Sequence, residues 1–232
     1  MIRTFTTIFL SFILILGFAS SVPAGTFDDA VAAYFRQDYA TALRLYRSLG
    51  DQGNPDARYN LALMYAHGQG VPQNYAEATK WFRLAAGQGV ADAQNDLSTL
   101  YRKGLGVPQN YAEAVKWAYL AANQGHANAQ SNLGVMYHDG MGVQQNYTEA
   151  AKWYRLAANQ GAAAAQFNLG SMYYNGQGVT QNYASSYFWF SLAAAQGNQE
   201  AAKYRDIIAR LMTPSQIAEA QKQAAEFRPQ KQ

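Results

Sequence analysis

Apolar residues recur along this chain in steps of three and four, and the steps themselves repeat. One set is Ala57, Leu61, Met64 and Tyr65. It returns as Ala93, Leu97, Leu100 and Tyr101, then as Ala129, Leu133, Met136 and Tyr137, then as Ala165, Leu169, Met172 and Tyr173. Spacings of four, three and one keep each set on one face of a helix. A second set follows each first one: Tyr75, Ala78, Trp81 and Ala85; Tyr111, Ala114, Trp117 and Ala121; Tyr147, Ala150, Trp153 and Ala157; Tyr183, Ser186, Trp189 and Ala193. Small residues alternate with large aromatics, so one helix can approach closely while the next fills the gap. Such aromatic rows could also line a cleft, but their recurrence at fixed spacing favours packing. The pattern predicts two helices per unit.

The unit length comes from "AAGQG", "AANQG", "AANQG" and "AAAQG", which end at Gly89, Gly125, Gly161 and Gly197, 36 residues apart. Gly53 lies one period earlier. Four full units follow, 53–88, 89–124, 125–160 and 161–196. Residues 25–52 read as a shortened first unit whose hinge is only "RQD", and 197–232 as capping helices. In that last segment Thr213, Pro214 and Gln216 mark a helix start. Repeats of this length, each unable to bury its apolar face alone, stack into an all-α solenoid.

Between the helices stand "GQGVPQNYAEA", "GLGVPQNYAEA", "GMGVQQNYTEA" and "GQGVTQNYASS". Paired glycines before a helix can cradle a phosphate, but a phosphate loop follows a strand and carries a Lys or a third Gly at fixed spacing. This stretch occurs four times, follows a helix and has neither, so it reads as a hinge. Gly68, Gly104, Gly140 and Gly176 stop the first helix. Asn74, Asn110, Asn146 and Asn182 stand where the second begins and cap it, each worth about 1 kcal/mol. Glu77, Glu113 and Glu149 lie three residues on, placed to close a capping box. Asn146-Tyr147-Thr148 also spells a glycosylation acceptor, but the same Asn recurs where no Thr follows, which favours the cap.

Composition changes this picture little. The chain has 232 residues, 49% of them apolar, so it has the means to bury a core. Its formal net charge of +3 is too small and dispersed to point to nucleic acid. The absence of Cys excludes disulfides, thiolate metal sites and a cysteine nucleophile. The N-terminus is different. "MIRTFTTIFLSFILILGFASSVPAG" has one positive charge, an apolar run from Ile8 to Phe18, then small residues. That run is short for a membrane span, which takes about 20 apolar residues. It reads as a signal peptide over 1–24, cut after Ala24, with an uncleaved anchor as the alternative. Either way the remainder is expected to be exported, to the periplasm or beyond.

The motif Ala-x-x-x-Leu-Gly-x-x-Tyr, then Gly-x-Gly-Val-x-x-Asn-Tyr-x-x-Ala, then Trp-x-x-x-Ala-Ala-x-x-Gly resembles the Sel-one-like repeat, a relative of tetratricopeptide repeats with a longer hinge. The third unit, "ANAQSNLGVMYHDGMGVQQNYTEAAKWYRLAANQG", fits best; the first two carry Ala62 and Ser98 where Gly134 and Gly170 fit. The resemblance implies a right-handed α-α superhelix that acts as an adaptor for other proteins, as in signalling complexes, envelope assembly and contact with host cells. A cysteine-rich branch similar to β-lactam binders is set aside by the lack of Cys.

Positions that vary between units mark surface that packing does not dictate. On the first helices these include Tyr59 and Leu63; Asn95, Thr99 and Arg102; Ser131, Val135 and His138; and Phe167, Ser171 and Tyr174. They form a mixed aromatic and polar strip beside the core face, with Arg102 and His138 central. Aromatics and Arg are favoured at binding surfaces; an ordinary solvated face is the alternative. Lys80, Lys116 and Lys152 stand three residues after the hinge glutamates, at ion-pair spacing. Catalytic motifs are missing: there is no Gly-x-Ser-x-Gly, Ser-x-x-Lys or His-Glu-x-x-His. His67, His126 and His138 have no helical partner at metal-ligand spacing. The expectation is an exported, non-enzymatic scaffold without cofactor that binds a protein or peptide along its concave first-helix surface. An envelope enzyme or regulator acting on peptidoglycan, and a plain spacer, are the alternatives.

Overall fold

The computed structural model describes residues 25–230. The signal segment expected over 1–24 lies outside them, as do the last two residues. Among the described residues there are twelve helices and no strand: α1 Phe27–Phe35, α2 Tyr39–Asp51, α3 Pro55–His67, α4 Tyr75–Gly87, α5 Ala91–Lys103, α6 Tyr111–Asn123, α7 Ala127–Asp139, α8 Tyr147–Asn159, α9 Ala163–Asn175, α10 Tyr183–Ala195, α11 Gln199–Ala209 and α12 Pro214–Glu226. Consecutive helices from α1 to α11 pack against one another, and α12 turns back onto α10. The result is an α-solenoid.

The core runs through the stack as a series of linked layers. The alanines and leucines of the first-helix rows, such as Ala57, Leu61, Ala93 and Leu97, are fully buried. So are Ala78 and Ala85 of the second helices. The tryptophan row is less uniform: Trp81 and Trp189 are buried, Trp117 and Trp153 only half so. The residue after each Trp fills the layer instead, namely Phe82, Ala118, Tyr154 and Phe190, all buried. Its size is matched by the facing first helix. A Cβ on Gly134 would lie 2.6 Å from the Tyr154 ring, and one on Gly170 3.0 Å from Phe190. Opposite the small Ala118 stands Ser98, whose hydroxyl donates to the Ala114 carbonyl at 2.7 Å. The departure at Ser98 thus belongs to a paired variation in volume, whereas Ala62 is buried in the unit that carries the large Phe82.

The hinge shows why its residues recur. Gly104 ends α5 in the left-handed conformation, φ 68°, and its N–H donates to the Leu100 carbonyl. Gln109 donates from its amide to the Arg102 carbonyl at 2.9 Å, satisfying one acceptor that the helix end leaves open. Asn110 accepts from the Glu113 N–H at 3.0 Å and caps α6. The backbone N–H of Asn110 donates to the Tyr101 carbonyl at 2.9 Å. That bond corrects the expected capping box: the donor that Glu113 would have bonded is already taken, and the same holds for Glu77 and Glu149, since Asn74 and Asn146 donate to Tyr65 and Tyr137. The glutamates instead reach Lys80, Lys116 and Lys152 in exposed pairs. Capping boxes do form at Thr26 with Asp29 and at Thr213 with Gln216.

The second glycine has a different duty. Gly106 packs on the start of α4, in the preceding unit: a Cβ there would lie 2.2 Å from the Tyr75 carbonyl oxygen. Gly142 and Gly178 meet Tyr111 and Tyr147 in the same way. Only a residue without a side chain permits that approach.

A row of amides ties the units together beside this contact. Buried Gln94, Gln130 and Gln166 donate to the Ala86, Ala122 and Ala158 carbonyls at 3.0, 3.1 and 3.2 Å. Each in turn accepts from the glutamine just past the following second helix, Gln124, Gln160 or Gln196, at 2.7 to 2.8 Å. In the first unit Arg58 takes the place of the buried amide, donating to Gln88 at 2.8 Å.

Denaturant unfolding of the purified chain tests these contacts in three variants. Gly106→Ala is expected to cost about 3 kcal/mol or more, from left-handed strain plus backbone collision. Gly89→Ala, at φ 94° with nothing within 4 Å of its Cβ, carries only the strain, about 1–2 kcal/mol. Gln166→Leu removes the bonds to the Ala158 carbonyl and from the Gln196 amide, while Gly161 still donates to Ala158, and is expected to cost about 1 kcal/mol.

Candidate functional site

All eleven residues of the candidate strip are half-buried on α3, α5, α7 and α9. The structure divides them. Leu63 and Thr99 line a cavity of about 210 Å³ between α3 and α5, together with Tyr75, Phe82, Asp96 and Leu105. Val135, His138 and Ser171 line a second, of about 310 Å³ between α7 and α9, with Asp139, Tyr154 and Asn168. Tyr59, Asn95, Arg102, Ser131, Phe167 and Tyr174 line neither.

Two of the aromatics are anchored in the fold. The Tyr59 ring packs on Phe82 with centroids 5.8 Å apart, and Phe167 sits 5.5 Å from Phe190 and 6.1 Å from Tyr204. Tyr174 lies 6.0 Å from Tyr183. His138 is held at 2.6 Å from Asp139 and edge-on to Tyr147. Arg102 makes no hydrogen bond or ion pair through its guanidinium among the described residues.

The strip reasoning overlooked the neighbouring row, Asn60, Asp96, Asn132 and Asn168. Three amides and one acid share one position in the repeat, so the acid is the exception the periodicity exposes. Asp96 accepts from the Tyr59 hydroxyl at 3.3 Å and from the Asn95 amide at 3.3 Å. Asn132 donates to Asn95 at 3.0 Å, which links α7 to the same network. Burial pushes the Asp96 carboxyl above its ordinary range; Tyr59 and Asn95 oppose that shift, Asp92 adds to it and His126 opposes it. The Tyr59 phenol is pushed well up, by burial first and then by Asp96 and Asp92. Tyr154 is raised by burial and by Asp139, so it stays protonated at neutral pH.

His126 is structural. Its Nδ1 accepts from the Ala129 N–H at 3.1 Å to cap α7, and Nε2 lies 3.0 Å from Asp92. Among the described residues no three His, Asp or Glu side chains converge as a metal site.

The charges are sorted between the two helix layers. From α1 to α10 the first helices carry Asp28, Asp29, Asp56, Asp92, Asp96 and Asp139 against Arg58, Arg102 and Lys103. The second helices carry Arg44, Arg47, Lys80, Arg83, Lys116, Lys152 and Arg155 against Asp51, Glu77, Glu113 and Glu149. The balance is −3 on one layer and +3 on the other. The strip that reads as centred on Arg102 and His138 therefore sits on the more acidic layer.

A sequence model of the Sel1 repeat matches residues 33–54, 55–90, 91–126, 127–161 and 163–198. The chain belongs to the Sel1 repeat family. Repeats of this family commonly serve as protein-interaction scaffolds, typically without catalysis. Among solved structures, a Sel1 repeat protein from Oxalobacter formigenes is similar at 32% identity, with TM-score 0.74, over 86% of this chain and 84% of that one. The c5321 protective antigen of uropathogenic Escherichia coli has 34% identity and TM-score 0.44, over 84% of this chain and 52% of that one. The immunity protein Pa5087 of Pseudomonas aeruginosa has 20% identity and TM-score 0.49, over 86% and 82%. No curated protein matches the chain.

The raised Asp96 carboxyl gives a pH test of this Sel1 repeat chain. The folded state holds that proton more tightly than the unfolded chain, so stability falls as pH rises from the unfolded carboxylate range, near pH 4, through the folded value. Above it the penalty stays in full. Asp96→Asn removes it and is expected to raise the melting temperature at pH 7, with the gain vanishing near pH 3. Thermal denaturation of both chains across pH 3–8 reads this directly.

Proposed function

We propose that this chain is an exported, non-enzymatic Sel1 repeat scaffold that binds a protein or peptide partner along the concave surface of its first helices. The observation that carries the reading is the pairing of open space with variation. The packing positions of α3, α5, α7 and α9 repeat almost unchanged, whereas the strip beside them varies and borders two cavities. Arg102 and the amide row supply hydrogen-bonding groups on that surface, and the half-buried rings supply contact area at low entropic cost. Export rests on the sequence of residues 1–24. The family's usual role supports a scaffold over an enzyme working on peptidoglycan.

The chain, immobilised without its first 24 residues, is expected to capture a saturable partner from envelope extract of its source. The triple variant Thr99→Arg, Ser131→Arg and Ser171→Arg should weaken capture by a factor of ten or more while circular dichroism stays helical. Unchanged capture by the helical variant removes the strip from the reading. Release of soluble fragments from purified cell wall would overturn the non-enzymatic part.

A further inference from the structure

The cavity between α3 and α5 has a floor unlike its counterparts. At the position where three units place an amide, Asn60, Asn132 and Asn168, the second unit places the Asp96 carboxylate. Asn and Asp have nearly the same shape, so packing does not call for the charge. Removing a carboxylate from water is costly unless it is paired. The groups that bond Asp96 inside the protein, the Tyr59 hydroxyl and the Asn95 amide, are both neutral. No Lys, Arg or His lies within ion-pair distance of it among the described residues. Lys103 and His67 line the same cavity without pairing with it, and His126 is engaged with Asp92 at 3.0 Å. Most of the wall is apolar, from Leu63, Phe82, Leu100 and Leu105, while Tyr75, Thr99, His67 and Lys103 line the rest. A volume of about 210 Å³ with apolar walls and a charged end suits a long aliphatic stem that ends in a cation. The surrounding layer adds to the fit, since its acids outnumber its bases by six to three from α1 to α9.

We propose that the α3/α5 cavity is a subsite for one basic side chain, arginine or lysine, of the segment bound along the first helices. The proposal rests on the scaffold reading above. The aliphatic stem lies along Leu63, Phe82 and Leu105, and the cationic head meets Asp96, whose second partners Tyr59 and Asn95 fix the carboxylate in place. A carboxylate already desolvated in this way discriminates charge strongly, because an uncharged guest leaves it unpaired.

The test uses three pools of synthetic nonapeptides, degenerate in Ala, Ser, Gly, Leu and Tyr on the flanks. The central residue is arginine, lysine, or citrulline as the uncharged isostere of arginine. Fluorescence polarisation against the purified chain is expected to show the arginine or lysine pool binding at least ten-fold tighter than the citrulline pool. Asp96→Asn is expected to bind all three alike, at the level of the citrulline pool. That variant places in the second unit the residue three other units already hold, so it should fold, which its melting curve verifies. Equal binding of the three pools to the unaltered chain, or a charge preference that survives in Asp96→Asn, overturns the subsite and leaves the scaffold reading standing. No saturable binding of any pool overturns both.

Discussion

Backbone laid directly on backbone sets the geometry of this solenoid. Where Gly106 meets the Tyr75 carbonyl there is no room for even one carbon atom. The same contact recurs at Gly142 with Tyr111 and at Gly178 with Tyr147, each time joining the hinge of one unit to the start of the second helix in the unit before. A contact of this kind has no rotamers to relax. It fixes how far each helix pair stands from the last, and with that distance the depth of the layer that side chains must fill. The matched volumes of Gly134 with Tyr154 and Gly170 with Phe190 then follow as consequences of a spacing already set.

The buried glutamines act on the same joint by other means. Each amide uses its donor on a carbonyl near the end of the second helix before it and its acceptor on a glutamine past the second helix after it. Those carbonyls also accept from the Gly89, Gly125 and Gly161 N–H groups, so each amide adds a second bond at the helix end and joins it to the next unit. Nearest-neighbour coupling of this kind is what lets an elongated array hold together without a central core. The outer positions of the first helices lie beside this coupling, and there the units differ from one another.

Much of this was legible in the chain itself, for a physical reason. The fold is built from local elements repeated in register, so the helix faces, the hinge and the asparagine caps at Asn74, Asn110, Asn146 and Asn182 could be read from spacing alone. What spacing does not report is which of several available acceptors a given donor bonds. The capping box at Glu113 failed on that point, because the Asn110 N–H faces the Tyr101 carbonyl across the hinge. The tryptophans drew attention by their size, yet the next residue fills the layer, a distinction set by a 100° turn of the helix. Asp96 lies in the row beside the varying strip, and its departure from Asn60, Asn132 and Asn168 was the signal. The grouping of Leu63 and Thr99 at one cavity and of Val135, His138 and Ser171 at another depends on how adjacent helices diverge, and no single helix encodes that.

The claim beneath all of these is that the second hinge glycine couples neighbouring units through backbone contact. Residue-resolved hydrogen exchange on Gly142→Ala tests it most directly. The account requires protection to drop in α6, α7 and α8, on both sides of the altered joint, and to change least in α3 and α11. Protection unchanged in α6 and α8, with the variant folded, would contradict it.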